Sequence, residues 1–311
     1  MHGGSCRLSR RLARPAPGGK RLGLCPTRAM VDRRSIDSNS VDRLDPFARE
    51  RPIAFSHRGG RLRWPENTLL AFRQSAELGY RYFETDLHLS ADGVLMVFHD
   101  DTLDRITDGS GPIGDYTASE LKRFDAAFRF GSDRGWPYRR QGVTIPTLEE
   151  VMTAFPHASF TLELKQAGLG DPLVQFIEQH DLWHRVMVGG YADEWVKEVR
   201  RLSGGRVPTS SGRHETLLFW LASRVGVGLP IRADALQVPV TNNGLTVVDR
   251  RFIKAAHQAG KQVHVWTIND PPEMHRLLDL GVDGLMSDVP DVLLAVLDER
   301  GSGGPRYPVL A

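Results

Sequence analysis

From residue 51 onward, short runs of apolar and β-branched residues alternate with longer amphipathic stretches. The runs are Ile53–His57, Tyr82–Asp86, Val94–His99, Phe160–Lys165, Val186–Gly189, Val207–Ser210, Ala235–Val238, Val263–Ile268 and Gly284–Ser287. Between them, Thr68–Leu78, Leu148–Ala154, Pro172–His180, Asp193–Leu202, Glu215–Val225, Val248–Ala259 and Pro272–Leu280 carry helical periodicity. This alternation predicts parallel strands joined by helical crossovers. Nine candidate strands compete for the eight places of a (β/α)8 TIM barrel, and residues 51–300 match the ~250 residues usual for that fold.

The surplus strand arises early. Only Leu87–Gly93 separates Tyr82–Asp86 from Val94–His99, and it holds Asp92-Gly93, a tight-turn signal, with no room for a helix. A chain that descends, turns there and climbs again at ~3.3 Å per residue brings His99 back to the level of Asp86. Residues 101–145 are then rich in Gly, Pro, Asp and Arg, with one helix-like piece, Ala118–Phe124. That segment is too long for a bare loop and too short for its own core. It is expected to be a functional insertion after the third strand that caps the barrel mouth.

The ends of the chain differ from its body. Residues 1–50 lack apolar periodicity and read as a tail and linker, and residues 301–311 as a loose C-terminal tail. Seven of the 40 Lys and Arg residues, and no acid, fall in residues 1–29, which leaves 33 basic against 38 acidic residues afterwards. The formal charge of +2 therefore hides a body of −5, and the pI of 8.6 belongs to the tail. A nucleic-acid surface spread over the domain is disfavoured. Cys6 and Cys25 both lie in the tail, so the body has no thiol for a disulfide, a zinc site or a nucleophile. The tail has no signal-peptide apolar core and reads as upstream translation before a start at Met30, or as a targeting segment; a cytoplasmic location is expected. The longest apolar runs are six residues, Leu217–Ala222 and Val292–Leu297, far short of the ~20 that cross a bilayer.

Side chains two apart on a strand share a face, so Glu84 projects with Asp86 and Glu163 with Lys165. Three carboxylates on otherwise apolar strands need compensation, because an unpaired buried charge is costly. One divalent cation supplies it, and oxygen-only ligands favour Mg²⁺ or Ca²⁺. Pairing of these acids with arginines or with Lys165 is the alternative. His57 and His99 each end an expected strand and open a polar loop, at the rim where (β/α)8 enzymes keep catalytic groups. Two imidazoles across a substrate can serve as base and acid in one turnover. His88, past the expected strand end, reads as incidental and solvated. Gly59-Gly60 reads as a turn, and Trp266 as a core residue or a wall for the substrate's organic group.

These pieces together resemble the glycerophosphodiester phosphodiesterase family. The stretches that carry the likeness are Ser56-His57-Arg58-Gly59-Gly60, Pro65-Glu66-Asn67-Thr68, Glu84-Thr85-Asp86, His99 through Arg105, Leu162-Glu163-Leu164-Lys165, Val265 through Asn269 and Val282-Asp283-Gly284, in family order over residues 52–290. The resemblance implies metal-dependent cleavage of a small-molecule glycerophosphodiester into an alcohol and sn-glycerol 3-phosphate. His57 and His99 would take the acid–base roles, and Glu84, Asp86 and Glu163 would bind the metal. Arg58 and Lys165 would hold phosphate oxygens, Glu66 would support metal or substrate, and Trp266 would face the glycerol or headgroup side. The stretch from Val186 to Leu229 matches only loosely. Two rival readings are a lysophospholipase D on the same scaffold, favoured by an apolar groove around Trp266 and the insertion, and a catalytically silent barrel, signalled by loss of either histidine. Both histidines are present.

Overall fold

The computed structural model describes Phe47 and residues 52–302. The expectations for residues 1–50 other than Phe47, including a start at Met30, and for the C-terminal tail beyond residue 302 lie outside the described residues; Phe47, expected in a linker, is buried in the core. In chain order the strands are β1 (Ile53–His57), β2 (Tyr82–Leu89), β3 (Leu95–Val97), β4 (Ser159–Leu164), β5 (Val186–Gly190), β6 (Ala235–Pro239), β7 (Thr241–Asn242), β8 (Leu245–Thr246), β9 (Gln262–Trp266) and β10 (Gly284–Ser287). The helices are α1 (Leu69–Glu77), α2 (Ala118–Leu121), α3 (Leu148–Ala154), α4 (Gly170–Gln179), α5 (Asp193–Leu202), α6 (Arg213–Val225), α7 (Arg250–Gln258), α8 (Pro271–Leu280) and α9 (Pro290–Glu299).

Seven strands run parallel in the order β5-β4-β2-β1-β10-β9-β6. The sheet all but closes on itself through the expected strand Val207–Ser210, which shrinks to two parallel bridges, Val188 to Thr209 and Ser210 to Ala235. The result is a nearly closed TIM barrel wrapped by helices. The ninth candidate strand is the climbing arm of a hairpin. β3 pairs antiparallel with β2, Leu87 opposite Val97, and the Phe98 amide donates to the Asp86 carbonyl at 3.0 Å, which sets the chain entering His99 beside Asp86.

Strand parity divides the core. Outward residues of β2, β4 and β5 pack under α1, α3, α4 and α5, with Phe72, Phe83 and Phe160 mutually in ring contact at 5.2–5.8 Å. Outward residues of β6, β9 and β10 pack under α6 to α9. Inward residues change character from bottom to top. Phe47, Ile53, Phe55, Tyr82, Met187, Ala235 and Met286 form an apolar plug. Two residues further along the same strands stand His57, Glu84 and Gln237.

Local chemistry explains the helix starts. Thr68 accepts from the Ala71 amide at the head of α1, and Thr147 with Glu150 forms a capping box at the head of α3. Two elements are absent from the sequence expectation: α9, which buries Leu293, Val296 and Leu297, and the hairpin β7–β8, turned by Asn243-Gly244 with both residues at positive φ.

The insertion departs from expectation. Leu103, Ile113, Leu121, Ala126 and Ile145 bury against Met96 and Phe98, so the segment does build a small core of its own, borrowing the hairpin arm as one wall.

Candidate active site

The register of the sheet assembles the charged groups. Across β1 and β2, His57 sits beside Glu84; across β2 and β4, Asp86 sits beside Glu163. One oxygen from each of Glu84, Asp86 and Glu163 lies within 4.8 Å of the others. His57, His99, Arg58, Glu84, Glu163, Lys165 and Trp266 line one cavity of about 400 Å³ at the C-terminal ends of the strands.

The three acids are not equivalent. Asp86 is fully buried and well supplied: Lys165 Nζ stands 3.0 Å from Oδ1, Arg58 Nε 3.2 Å from Oδ2, and Asn67 Nδ2 donates to Oδ2 at 2.8 Å. Burial works against ionisation, yet Lys165 and Arg58 hold this carboxyl well below its ordinary range. Glu163 is half-exposed, 3.2 Å from Lys165. Glu84 is only 3% exposed, and neither of its oxygens has a hydrogen-bond partner; the His57 ring stands beside it, Nε2 to Oε2 at 3.5 Å. Burial, with Asp86 and Glu163 adding like charge, pushes Glu84 well above the usual carboxylate range. Ion pairing thus accounts for Asp86 and not for Glu84. Buried oxygens converging without donors are what a hard cation requires, so the residues fit one ion held by Glu84, Asp86 and Glu163.

Each histidine has its own carboxylate. His57 Nδ1 is 2.5 Å from Oδ1 of Asp288, the residue following β10. Asp288 also accepts from Arg61 Nε at 2.8 Å and Asn269 Nδ2 at 2.9 Å. His99 Nδ1 is 2.5 Å from Asp100 Oδ1, and Arg105 Nε donates to Asp100 Oδ2 at 2.5 Å. In both pairs burial opposes ionisation, while hydrogen bonds from the ring and a guanidinium keep the aspartate well below its ordinary range. A carboxylate on Nδ1 fixes the ring's orientation and its tautomer and leaves Nε2 for the cavity.

Glu66 lies outside the cavity lining, its oxygens taken by Arg58 at 3.1 Å and by two bonds from Arg105 at 2.7 and 2.8 Å. It ties Arg58 to Arg105 of the insertion. Trp266 ends β9 at 42% exposure, a cavity wall and not a core residue. His88 is buried, not solvated, because β2 continues past Asp86; it contacts Gln166 at 3.0 Å and the His99 carbonyl at 3.2 Å. No residue of the insertion, 101–145, is in the cavity lining, which His99 joins from just before it. The expected cap is instead a flank, and much of the rest of the lining comes from Gly189–Tyr191, Ser210–Arg213, Gln237–Pro239 and Asn242. Gly189 is closely approached there, since a Cβ would sit 3.0 Å from Ser210 Oγ and 3.2 Å from Gln237 Oε1. Asp288, Asp100, Arg105 and Asn67 were open to detection only in part: the last three fall inside the quoted motifs, whereas Asp288 is marked by nothing but its place after the last strand.

Residues 57–292 match the model of the glycerophosphoryl diester phosphodiesterase family. The chain belongs to this family. It is 35% identical over 259 residues to a probable glycerophosphodiester phosphodiesterase of Mycobacterium tuberculosis, covering 80% of this chain and 92% of that protein. Among solved structures, the glycerophosphoryl diester phosphodiesterase domain of an uncharacterized M. tuberculosis protein superposes with a TM-score of 0.71 at 22% identity, over 80% of this chain and 100% of that one. An Oleispira antarctica phosphodiesterase solved with the product sn-glycerol 3-phosphate gives a TM-score of 0.64 at 25% identity, over 80% of this chain and 97% of the other. Family membership makes the chain a phosphoric diester hydrolase by class, and the acidic rim falls inside the matched span.

Proposed function

We propose that this enzyme hydrolyses water-soluble glycerophosphodiesters to an alcohol and sn-glycerol 3-phosphate, using one Mg²⁺ or Ca²⁺ ion and two histidines. The observation that carries the reading is Glu84: a buried carboxylate without a donor, beside two further acids in the cavity that both imidazoles line.

Glu84, Asp86 and Glu163 hold the ion, which when bound supplies positive charge against a phosphodiester that is itself anionic and grows more so in the transition state. Arg58 and Lys165 hold the phosphate oxygens, kept in place by Glu66 and Asp86. One imidazole Nε2 takes the proton of the substrate hydroxyl adjacent to the phosphate. That oxygen attacks phosphorus to give a cyclic phosphodiester, while the other imidazole protonates the departing alkoxide. Water then opens the ring, with the proton transfers reversed, and sn-glycerol 3-phosphate leaves. Asp288 and Asp100 orient the two rings, and Trp266 walls the organic group.

The cavity lining includes Thr161, Ser210, Ser211, Thr216, Gln237 and Asn242, polar side chains that support a water-soluble substrate over a lysophospholipid. The test is release of sn-glycerol 3-phosphate from a panel of glycerophosphodiesters and one lysophospholipid, with EDTA and with Mg²⁺ or Ca²⁺ restored. Ion-dependent release from the diesters is expected. Turnover of the lysophospholipid alone, or of nothing, overturns the proposal.

A further inference from the structure

Away from the acidic cavity, one helix exposes an apolar face that the barrel does not use. Leu217, Leu218, Leu221 and Val225 of α6, with Val227 just beyond it, are 48–74% exposed, half of the large hydrophobic residues that stand exposed among the described residues. Leu218, Leu221 and Val225 are spaced three and four apart and form one stripe. The stripe runs into a second cavity of about 920 Å³ between the end of α6 and α7, lined by Val225, Val227 and the cations Arg224, Arg251, Lys254 and Lys261. No Asp or Glu lines it. Arg224 is paired with Asp249, whereas Arg251, Lys254 and Lys261 have no carboxylate partner among the described residues.

We propose that the outer face of α6 and this cavity form a docking surface for an anionic lipid bilayer. A contiguous exposed aliphatic patch marks an interaction site, and its composition selects the partner. Pairing of two copies about a two-fold axis brings the same patch to itself, so the unpaired cations of one copy would face those of the other. An anionic membrane meets both halves: the aliphatic stripe enters the headgroup–acyl boundary, and Arg251, Lys254 and Lys261 face lipid phosphates. α6 starts at Arg213 on the rim of the acidic cavity and runs roughly 20 Å to the second cavity, so the docking surface is separate from the catalytic mouth.

The experiment is co-sedimentation of the full-length protein with vesicles of phosphatidylcholine, alone or in equimolar mixture with phosphatidylglycerol. Binding to the mixed vesicles, weak binding to the neutral ones, and release by salt are expected. The basic residues 1–29 also attract anionic lipid, so the deciding arm leaves them intact. At ~1 kcal/mol per cation, R251Q/K254Q/K261Q lowers affinity by about 100-fold, and L218N/L221N lowers it at least about ten-fold. Neither set touches the acidic cavity, so hydrolysis of a soluble diester is retained in both. Equal binding of wild type to neutral and anionic vesicles, or wild-type affinity in either variant, overturns the proposal. So does a dimer in light scattering that L218N/L221N dissociates. None of these readouts depends on which diester the enzyme cleaves.

Discussion

Nδ1 of His57 lies 2.5 Å from Oδ1 of Asp288, across 231 residues of chain. The last barrel strand thereby orients a ring carried by the first, because β1 and β10 are neighbours in the closed sheet. Asp288→Asn keeps the size of the side chain and removes the charge that fixes the tautomer. A drop in kcat on the order of 10²-fold with a smaller change in KM is expected. Steady-state kinetics on a soluble glycerophosphodiester checks it, and a wild-type kcat removes Asp288 from the mechanism.

His57→Ala and His99→Ala are each expected to lower kcat by ~10²–10⁴ while the fold is kept, as judged by circular dichroism. Wild-type turnover in either variant excludes that ring from proton transfer.

The same aspartates are expected to contribute to stability against acid. Burial works against the Asp288 and Asp100 carboxylates, but hydrogen bonds from His57 and Arg61, and from His99 and Arg105, hold both below their unfolded values. A group with a depressed folded pKa stabilises the protein above its unfolded value of about 3.9 and loses that contribution as pH falls below it. Thermal melts are therefore expected to be lower below pH ~4 than at pH ~5, where both aspartates are ionised. Asp288→Asn narrows the difference between the two regions. An identical acid-induced drop in wild type and variant contradicts the assignment.

Gly59 turns the chain between the His57–Arg58 pair and α1 at φ +77, and a Cβ there would meet Ala71 Cβ at 2.7 Å and Ala71 C at 2.9 Å. Neither neighbour can give way without shifting α1. Gly59→Ala is expected to destabilise by about 1–3 kcal/mol and to disturb the rim, read as a lowered Tm together with reduced kcat. A variant with unaltered Tm and kcat contradicts this packing.

Much of this site is legible in the sequence because it is written in short-range pattern. Alternation on β2 and β4 puts Glu84, Asp86, Glu163 and Lys165 inward, and Asp92-Gly93 signals the hairpin that returns His99 to Asp86. Asn243-Gly244 carried the same kind of signal for β7–β8. What pattern does not carry is pairing between distant segments. Nothing local marks Asp288 as the partner of His57, or Arg105 as the clamp between Glu66 and Asp100. His88 shows the cost of a strand end placed too early: extending β2 by three residues moves it from solvent into the core. The shortened stave at Thr209–Ser210 is likewise set by closure of the sheet and not by its own residues.

The carboxylate cluster is tested most directly by calorimetric titration of the EDTA-stripped protein with Mg²⁺ and with Ca²⁺, comparing wild type with Glu84→Gln. One ion per chain is expected for wild type, with binding at least about ten-fold weaker in the variant, since the neutral amide keeps the shape of the site and removes a charged ligand. Absence of ion binding by the wild type, or equal affinity in both proteins, contradicts a metal held by Glu84, Asp86 and Glu163.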